Sequence, residues 1–482
     1  MHPILDAFEQ TCTARGRNVA ASDQSLTLDY ASIRSFAAGL GRQIADRTGL
    51  ERVGILAPTS TACAVSVFAA WYAGKIPIPL NFLLPAPELA KVVADAQIDL
   101  MITIDRFAET VASTGVKTLI LNGKTTLVPG EMDAPQRDGS DTGVILYTSG
   151  TSGDPKGVCL SFENLAANCR SCAEHARMNP DQVFLSLLPQ FHSFGLTALT
   201  ILPLTLGATV HYLPRFSPVT VVNTIAERKV SVFIAVASMF SALIRTKRAD
   251  REALSSLELI ISGGEPLPAS VAQAFEEKFG KTIFEGYGLT ETSPVASLNL
   301  PWASRPGSVG VPLPGITIKA VGPQGNEMAR GEDGELLISG HCVMQGYYNR
   351  PKETAEAVRD GWLHTGDVGR VDGDGFVYIT GRAKDMMIIG GENVYPREIE
   401  SVLESHPAVA EAAVIGVRDD VRGELPIGFV ILKDGVATDD TALREHCRAH
   451  LAGFKVPRSI TISEELPRGA TGKILKRALK AP

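Results

Sequence analysis

Along the first 300 residues, short apolar runs alternate with segments whose apolar side chains recur every three or four positions. Residues 53–56, 100–104, 118–121, 232–236 and 257–261 are runs of the first kind, whereas 87–96 and 269–279 follow the helical period. Near-continuous apolar runs separated by helical segments are the mark of strands buried on both faces, so the pattern predicts a largely parallel α/β sheet flanked by helices. The most apolar stretch, residues 62–74, is cut by Ser66 and closed by Lys75, Pro77 and Pro79. It falls short of the ~20 residues that cross a bilayer and predicts a buried helix.

From about Pro306 the texture becomes short strands at 316–320, 334–338 and 376–379 with Gly-rich turns between them, which predicts a β-rich, barrel-like portion. After Lys384 it changes again. A helix at 396–403, strands at 410–417 and 427–432, a helix at 441–450, a strand at 459–462 and a final basic helix make a compact α+β pattern. About a hundred residues of this kind can fold alone. The expected division is therefore a large domain, 1–383, and a small one, 384–482.

Composition narrows the function. The 46 Lys and Arg against 53 Asp and Glu leave a net charge of −7, without the basic excess that a nucleic-acid partner requires. Asp6 and Glu9 stand where a signal peptide would carry basic residues, and seven cysteines are too few for a disulfide framework in so long a chain. Both features point to the cytoplasm, with no membrane-spanning segment. The 45 Gly and 29 Pro are an unusual wealth of turn-forming residues in an otherwise ordinary composition.

The turns carry the candidate chemistry. The run YTSGTSGDPKG, residues 147–157, follows an apolar strand pattern. Its Thr148, Ser149, Gly150, Thr151, Ser152 and Gly153 let backbone N–H groups and hydroxyls converge on one anion, and Lys156 adds a full positive charge. It lacks the Lys-Ser or Lys-Thr pair of the common nucleotide triphosphatase loop. In FEGYGLTETSP, residues 284–294, Tyr287 offers a face for a base, Thr290 a hydroxyl and Glu291 a carboxylate suited to Mg²⁺. Asp367, after the turn at 361–366, is placed to accept from ribose hydroxyls. Arg382 and Lys384 in YITGRAKD, then Gly390, Gly391 and Glu392 in GGENVYPREIE, and finally Lys473 on a glycine turn, complete the set.

In this order and spacing the five segments resemble the adenylate-forming superfamily of acyl-CoA synthetases, luciferases and peptide-synthetase adenylation domains. The resemblance spans the whole chain. It implies an α/β fold with two α/β subdomains and a barrel-like one in the large domain, and a small mobile domain carrying the catalytic lysine. It also implies two steps. A carboxylate attacks the α-phosphate of ATP to give acyl-AMP and pyrophosphate, and a thiol, that of coenzyme A or of an acyl carrier protein, then displaces AMP. By the resemblance, residues 149–156 hold the β- and γ-phosphates, Thr148 and Glu291 hold Mg²⁺, and Lys473 reaches the α-phosphate. Asp367 and Arg382 contact ribose; Gly263, Gly264 and Glu265, with Glu285, Gly286 and Tyr287, frame adenine; Lys384 is the hinge. The small domain swings there between steps and brings the 390–392 stretch toward the thiol.

Substrate clues come from LPQFHSFGL, residues 188–196, where His192 occupies the position at which amino-acid-activating relatives carry an Asp. His192 implies proximity to the acyl and thiol tunnel. Gly288 stands where acetate-activating relatives close the pocket with Trp, and residues 232–240 offer apolar walls, so a medium- or long-chain fatty acid is expected, with an aromatic acid as the alternative. No Trp stands at the tunnel-gating position of some long-chain enzymes, where Leu196 lies nearby. Cys169, Cys172 and His175 mimic half a metal site, but Leu165, Cys169, Cys172, Ala173 and Ala176 form one helical stripe, which reads as core.

Overall fold

A computed structural model describes residues 2–122, 127–149, 155–247, 249–389, 392–419, 422–433, 435–469 and 474–480. Its largest sheet, nine-stranded among these residues, is built on six parallel strands: Val19–Ser22, Thr209–Tyr212, Val183–Ser186, Val232–Ala235, Leu259–Gly263 and Phe284–Gly288. Antiparallel strands Thr27–Asp29 at one edge and Val295–Leu298 with Val311–Pro312 at the other complete it. A second parallel sheet, ordered Ile76–Pro79, Arg52–Leu56, Leu100–Ile104, Lys117–Leu121, pairs exclusively in parallel, as apolar runs joined by helical crossovers require. The predicted buried helix is Thr61–Tyr72, in which every residue but Ala62 is buried, and Ser60 caps it by accepting the Cys63 N–H at 3.2 Å. No helix among the described residues is long and apolar enough to cross a membrane.

The β-rich portion is an antiparallel sheet of Ile316–Val321, Gly334–Gly340 and Trp362–Val371, with Val358–Arg359 and Val377–Arg382 attached to the last. Buried apolar residues of this portion join one core reaching from Ile4 to Val377, and a separate core runs from Met387 to Ile460. The second is the seam between the sheet built on Val409–Asp419 and Gly423–Leu432 and the helices Pro396–Ser405 and Asp440–His450.

Two expectations shift. The strand expected at 257–261 runs instead over Leu259–Gly263: Leu257 is buried in the core ahead of the strand, so its apolar character extended the run too early. The final basic helix is not formed among the described residues, where only a single 3-10 turn, Lys476–Ala478, follows residue 474. Pro467 and Gly469 punctuate the chain before it, and the apolar side chains there cover the small sheet rather than one helix face: Leu466 is buried against Phe429, with Ile474 and Leu479 packed beside them.

Candidate active site

The carboxyl ends of the parallel strands open into a cleft of about 1810 Å³, the usual place for a ligand in a sheet of this kind. On its floor Gly264 leaves the strand Leu259–Gly263 with a left-handed φ of 85°, a turn that a side chain would strain. The next residue, Glu265, accepts the Ser238 N–H at 3.0 Å, and burial raises its carboxyl above the usual range. Glu285 accepts the Leu267 N–H at 3.2 Å and is pushed up to about 7 by burial. Strand pairing sets Gly263 beside Gly286, so Gly263, Gly264, Glu265, Glu285, Gly286 and Tyr287 share one wall of the cleft.

The opposite rim comes from the antiparallel pair Trp362–Val371 and Val377–Arg382, whose register places Asp367 opposite Arg382. The Asp367 side chain is buried, its Oδ1 2.7 Å from Arg382 Nε, while Tyr287 donates its hydroxyl to Oδ2 at 2.6 Å. Burial and the adjacent carboxylate raise the Tyr287 phenol well above its ordinary value, which keeps it a proton donor. Tyr287 was expected to offer its face to a base; what the structure shows is its hydroxyl anchoring Asp367.

A third group gathers at the hairpin Thr142–Ser149 with Pro155–Ser161, in which Thr148 lies opposite Lys156. Tyr347 ties this group together, donating its hydroxyl to Glu291 Oε1 at 2.9 Å while Lys156 Nζ sits 5.3 Å from the centre of its ring. Sequence reading missed Tyr347, because nothing in the Gly-Tyr-Tyr run of its short strand distinguishes it from a packing aromatic. Thr290, buried, accepts from the Ser193 hydroxyl at 3.3 Å, which fastens this group to the His192 loop. His192 itself lines the cleft, its Nδ1 accepting the Phe194 N–H at 3.4 Å. Among the described residues no three His, Cys, Asp or Glu side chains form a metal cage. Glu291 with the Thr148 hydroxyl is nonetheless a hard oxygen set of the kind that suits Mg²⁺, which takes one or two carboxylates and fills its shell from phosphates and water.

Lys384 is exposed in the 3-10 turn Ala383–Asp385 and borders the cleft; Glu392 is exposed on the strand Glu392–Val394 and does not. Gly150, Thr151, Ser152, Gly153, Gly390, Gly391 and Lys473, and the Ser149 side chain, lie outside the described residues. Two ion pairs within the C-terminal portion, which the sequence reading did not single out, border the cleft: Arg397 to Glu404 at 2.9 Å and Lys476 to Glu400 at 2.6 Å. Burial pushes Glu404 up to about 7, with Arg397 partly offsetting it.

These two raised carboxyls set a pH dependence. Between the ordinary value of 4.5 and about 7 the folded chain holds protons on Glu285 and Glu404 that the unfolded chain releases, so their contribution to stability falls as pH rises through that window. Urea titrations between about pH 5 and pH 8 are expected to give a shallower pH slope for Glu285→Gln/Glu404→Gln than for the parent. Equal slopes would contradict the assignment.

Beyond His192 the cleft continues as an apolar slot. Phe194 opens a π-helix, Phe194–Ile201, in which the Thr200 hydroxyl donates to the Gly195 carbonyl five residues back at 3.0 Å. Its ring lies against Gly263, where a Cβ would come within 2.9 Å of Cε1. Leu298 covers Gly286 in the same way, at 3.1 Å from a Cβ there. The two glycines let Phe194 and Leu298 close down on the sheet, and these two side chains wall the slot. Cys172, expected in the core stripe, is buried there and also lines this slot, with Ala198, Leu202, Ile234 and Ile261.

The AMP-binding enzyme family signature matches residues 8–348, and the AMP-binding enzyme C-terminal domain matches residues 398–473. Relatives include a feruloyl-CoA synthase of Amycolatopsis sp, 38% identical over 88% of this chain and 87% of its own length, and a long-chain-fatty-acid–CoA ligase of Bacillus subtilis (strain 168), 35% identical over 89% and 85%. The fold matches ATP-bound MatB from Rhodopseudomonas palustris with a TM-score of 0.92 at 30% identity, covering 99% of this chain and 98% of that one. It also matches the o-succinylbenzoate coenzyme A synthetase (MenE) of Bacillus subtilis in complex with ATP and magnesium ion, with a TM-score of 0.88 at 31% identity over 98% and 99%. A signature over most of its length and relatives above 30% identity along nearly all of it place this chain in the AMP-binding enzyme family, among the AMP-forming acid–CoA ligases.

Proposed function

We propose that the acid is a medium- or long-chain fatty acid, activated with ATP to acyl-AMP and pyrophosphate and then passed to coenzyme A. The observation behind the choice is the apolar wall that Ala198, Leu202, Ile234, Ile261, Leu298 and Cys172 give the slot. A ring hydroxyl buried there would go unpaired, at a cost of about 1–3 kcal/mol. An alkyl tail has nothing to lose.

In this reading Lys156 and the 149–153 turn hold the β- and γ-phosphates, and Glu291 with Thr148 holds Mg²⁺, which offsets charge on the leaving pyrophosphate. Tyr347 fixes the Glu291 carboxylate and stands under Lys156, so both charges are positioned before substrate arrives. Asp367, oriented by Arg382 and Tyr287, accepts from the ribose hydroxyls; the Gly264–Glu265 and Glu285–Tyr287 segments bracket adenine; His192 and Thr290 sit where slot and phosphates meet. Residues 384–482 turn about Lys384 as a unit between the two steps, and Glu392, outside the cleft in the arrangement described, is brought toward the thiol with Gly390 and Gly391. The cytoplasm suits the seven cysteines, all free.

AMP release with coenzyme A as acceptor, across straight-chain acids from acetate to stearate and a set of ring-hydroxylated aryl acids, tests the substrate. Expected is a kcat/KM that climbs with chain length, with the hydroxylated acids roughly tenfold poorer than the best alkyl acid. A hydroxylated aryl acid as best substrate would overturn the fatty-acid reading in favour of the aryl one. Greater activity with an acyl carrier protein than with coenzyme A would reassign the acceptor alone.

A further inference from the structure

The slot has a far end, and topology locates it. Gly264, Thr290 and His192 mark the reacting end at the carboxyl ends of the parallel strands. Met178 follows the helix Phe162–His175 and leads into the amino end of the strand Val183–Ser186, which is level with Ser231 through the Ser231 N–H to Val183 carbonyl bond at 2.9 Å. Strands of four or five residues separate the two ends by roughly 15 Å. Between them lie Phe194 and Leu298, packed over Gly263 and Gly286, and the Leu298 carbonyl accepts from His175 Nε2 at 3.4 Å. Met178 lines the same cavity as these residues yet is only half-buried, so it has the slot on one side and solvent on the other.

Its backbone is pinned. The Met178 N–H donates to the Ala173 carbonyl at 2.8 Å. Arg177 before it takes a left-handed φ of 50°, and its guanidinium lies 4.2 Å from the centre of the exposed Trp302 ring. The side chain is not pinned: methionine is unbranched, with three rotatable bonds, and adapts to irregular apolar space.

We infer that Met178 is a yielding rear stop of the acyl slot and determines which chain lengths this enzyme prefers, with the Arg177–Trp302 stack positioning it; the inference rests on the fatty-acid reading above. A tail that fits ends against the methionine. A longer tail displaces it toward solvent, so long acids are accepted with a penalty rather than refused.

The test is the chain-length profile of kcat/KM for straight-chain acids at saturating ATP and coenzyme A, with the KM for ATP as the control that the nucleotide site is intact. Met178→Ala is expected to move the optimum to longer acids, raising the ratio of the longest to a mid-length acid about tenfold, and Met178→Trp to lower that ratio by a similar factor while sparing the shortest acids. Trp302→Ala, by freeing Arg177, is expected to broaden the profile at unchanged KM for ATP. Should the Trp variant fail to fold, Met178→Ala decides alone. A parent enzyme with a clear length optimum that Met178→Ala does not move overturns the rear stop and leaves the fatty-acid reading standing. A parent that turns over no straight-chain acid overturns both.

Discussion

Lys473→Ala is expected to cut carboxylate-dependent ATP–pyrophosphate exchange by roughly 10²- to 10³-fold, yet leave thioester formation from supplied acyl-adenylate largely intact. Adenylation spreads negative charge over the α-phosphate and the attacking carboxylate, and a fixed cation in a closed site stabilises that charge far more than it would in water. On either side of Lys473, Arg468 and Ile474 bridge as an antiparallel pair, the Leu475 N–H donates to the Pro467 carbonyl at 2.7 Å, and Arg468 with Ile474 to Arg477 borders the cleft. Arg468 is itself paired to Glu411, in the same portion of the chain. The second step needs AMP to leave, not a new charge at the α-phosphate, and in the proposed cycle the lysine has swung away by then. Equal loss in both half-reactions would contradict that division of labour.

What was legible beforehand follows a physical rule. The parallel strands announced themselves because both faces are buried, which writes apolar residues at every position of Val232–Ala235 and most of Arg52–Leu56. The turns were legible because glycine excess marks backbone that a side chain would obstruct: Gly264 at its left-handed φ, and Gly263 and Gly286 beneath Phe194 and Leu298. What stayed hidden depends on three-dimensional pairing. Asp367 and Arg382 were each picked out, but that they touch is a matter of strand register across 15 positions. Tyr347 gains its meaning only from Glu291, 56 residues earlier in the chain. Cys172 sat correctly in a buried helical stripe, and no periodicity says that one edge of such a stripe borders a cavity. The π-helix at 194–201 escaped because no apolar pattern marks its extra residue per turn.

Asp367→Asn is the other change with a large expected effect, a rise of about 10²-fold in the KM for ATP, with little change in the KM for the acid. A carboxylate at 3% exposure is stable only because both oxygens are engaged, one by Arg382 Nε at 2.7 Å and the other by the Tyr287 hydroxyl at 2.6 Å. The two protein donors hold it in plane at the wall of the cleft, an acceptor that ribose hydroxyls would reach without reorganisation. Asparagine keeps the shape but has no charge and a single acceptor oxygen, and with that oxygen on Arg382 its NH₂ obliges Tyr287 and the ribose hydroxyls to accept where they had donated. The guanidinium is partly exposed and recovers some hydration, so the loss of stability is expected at about 2 kcal/mol, below the 3–5 kcal/mol typical of breaking a fully buried pair. Tyr287→Phe separates the two roles, since it removes one neutral donor and leaves the charge and its arginine. Its expected cost is about 1 kcal/mol in urea unfolding and a KM for ATP within about fivefold of the parent. If Asp367→Asn binds ATP like the parent while losing stability, the carboxylate is a structural pin between two strands and the ribose assignment falls.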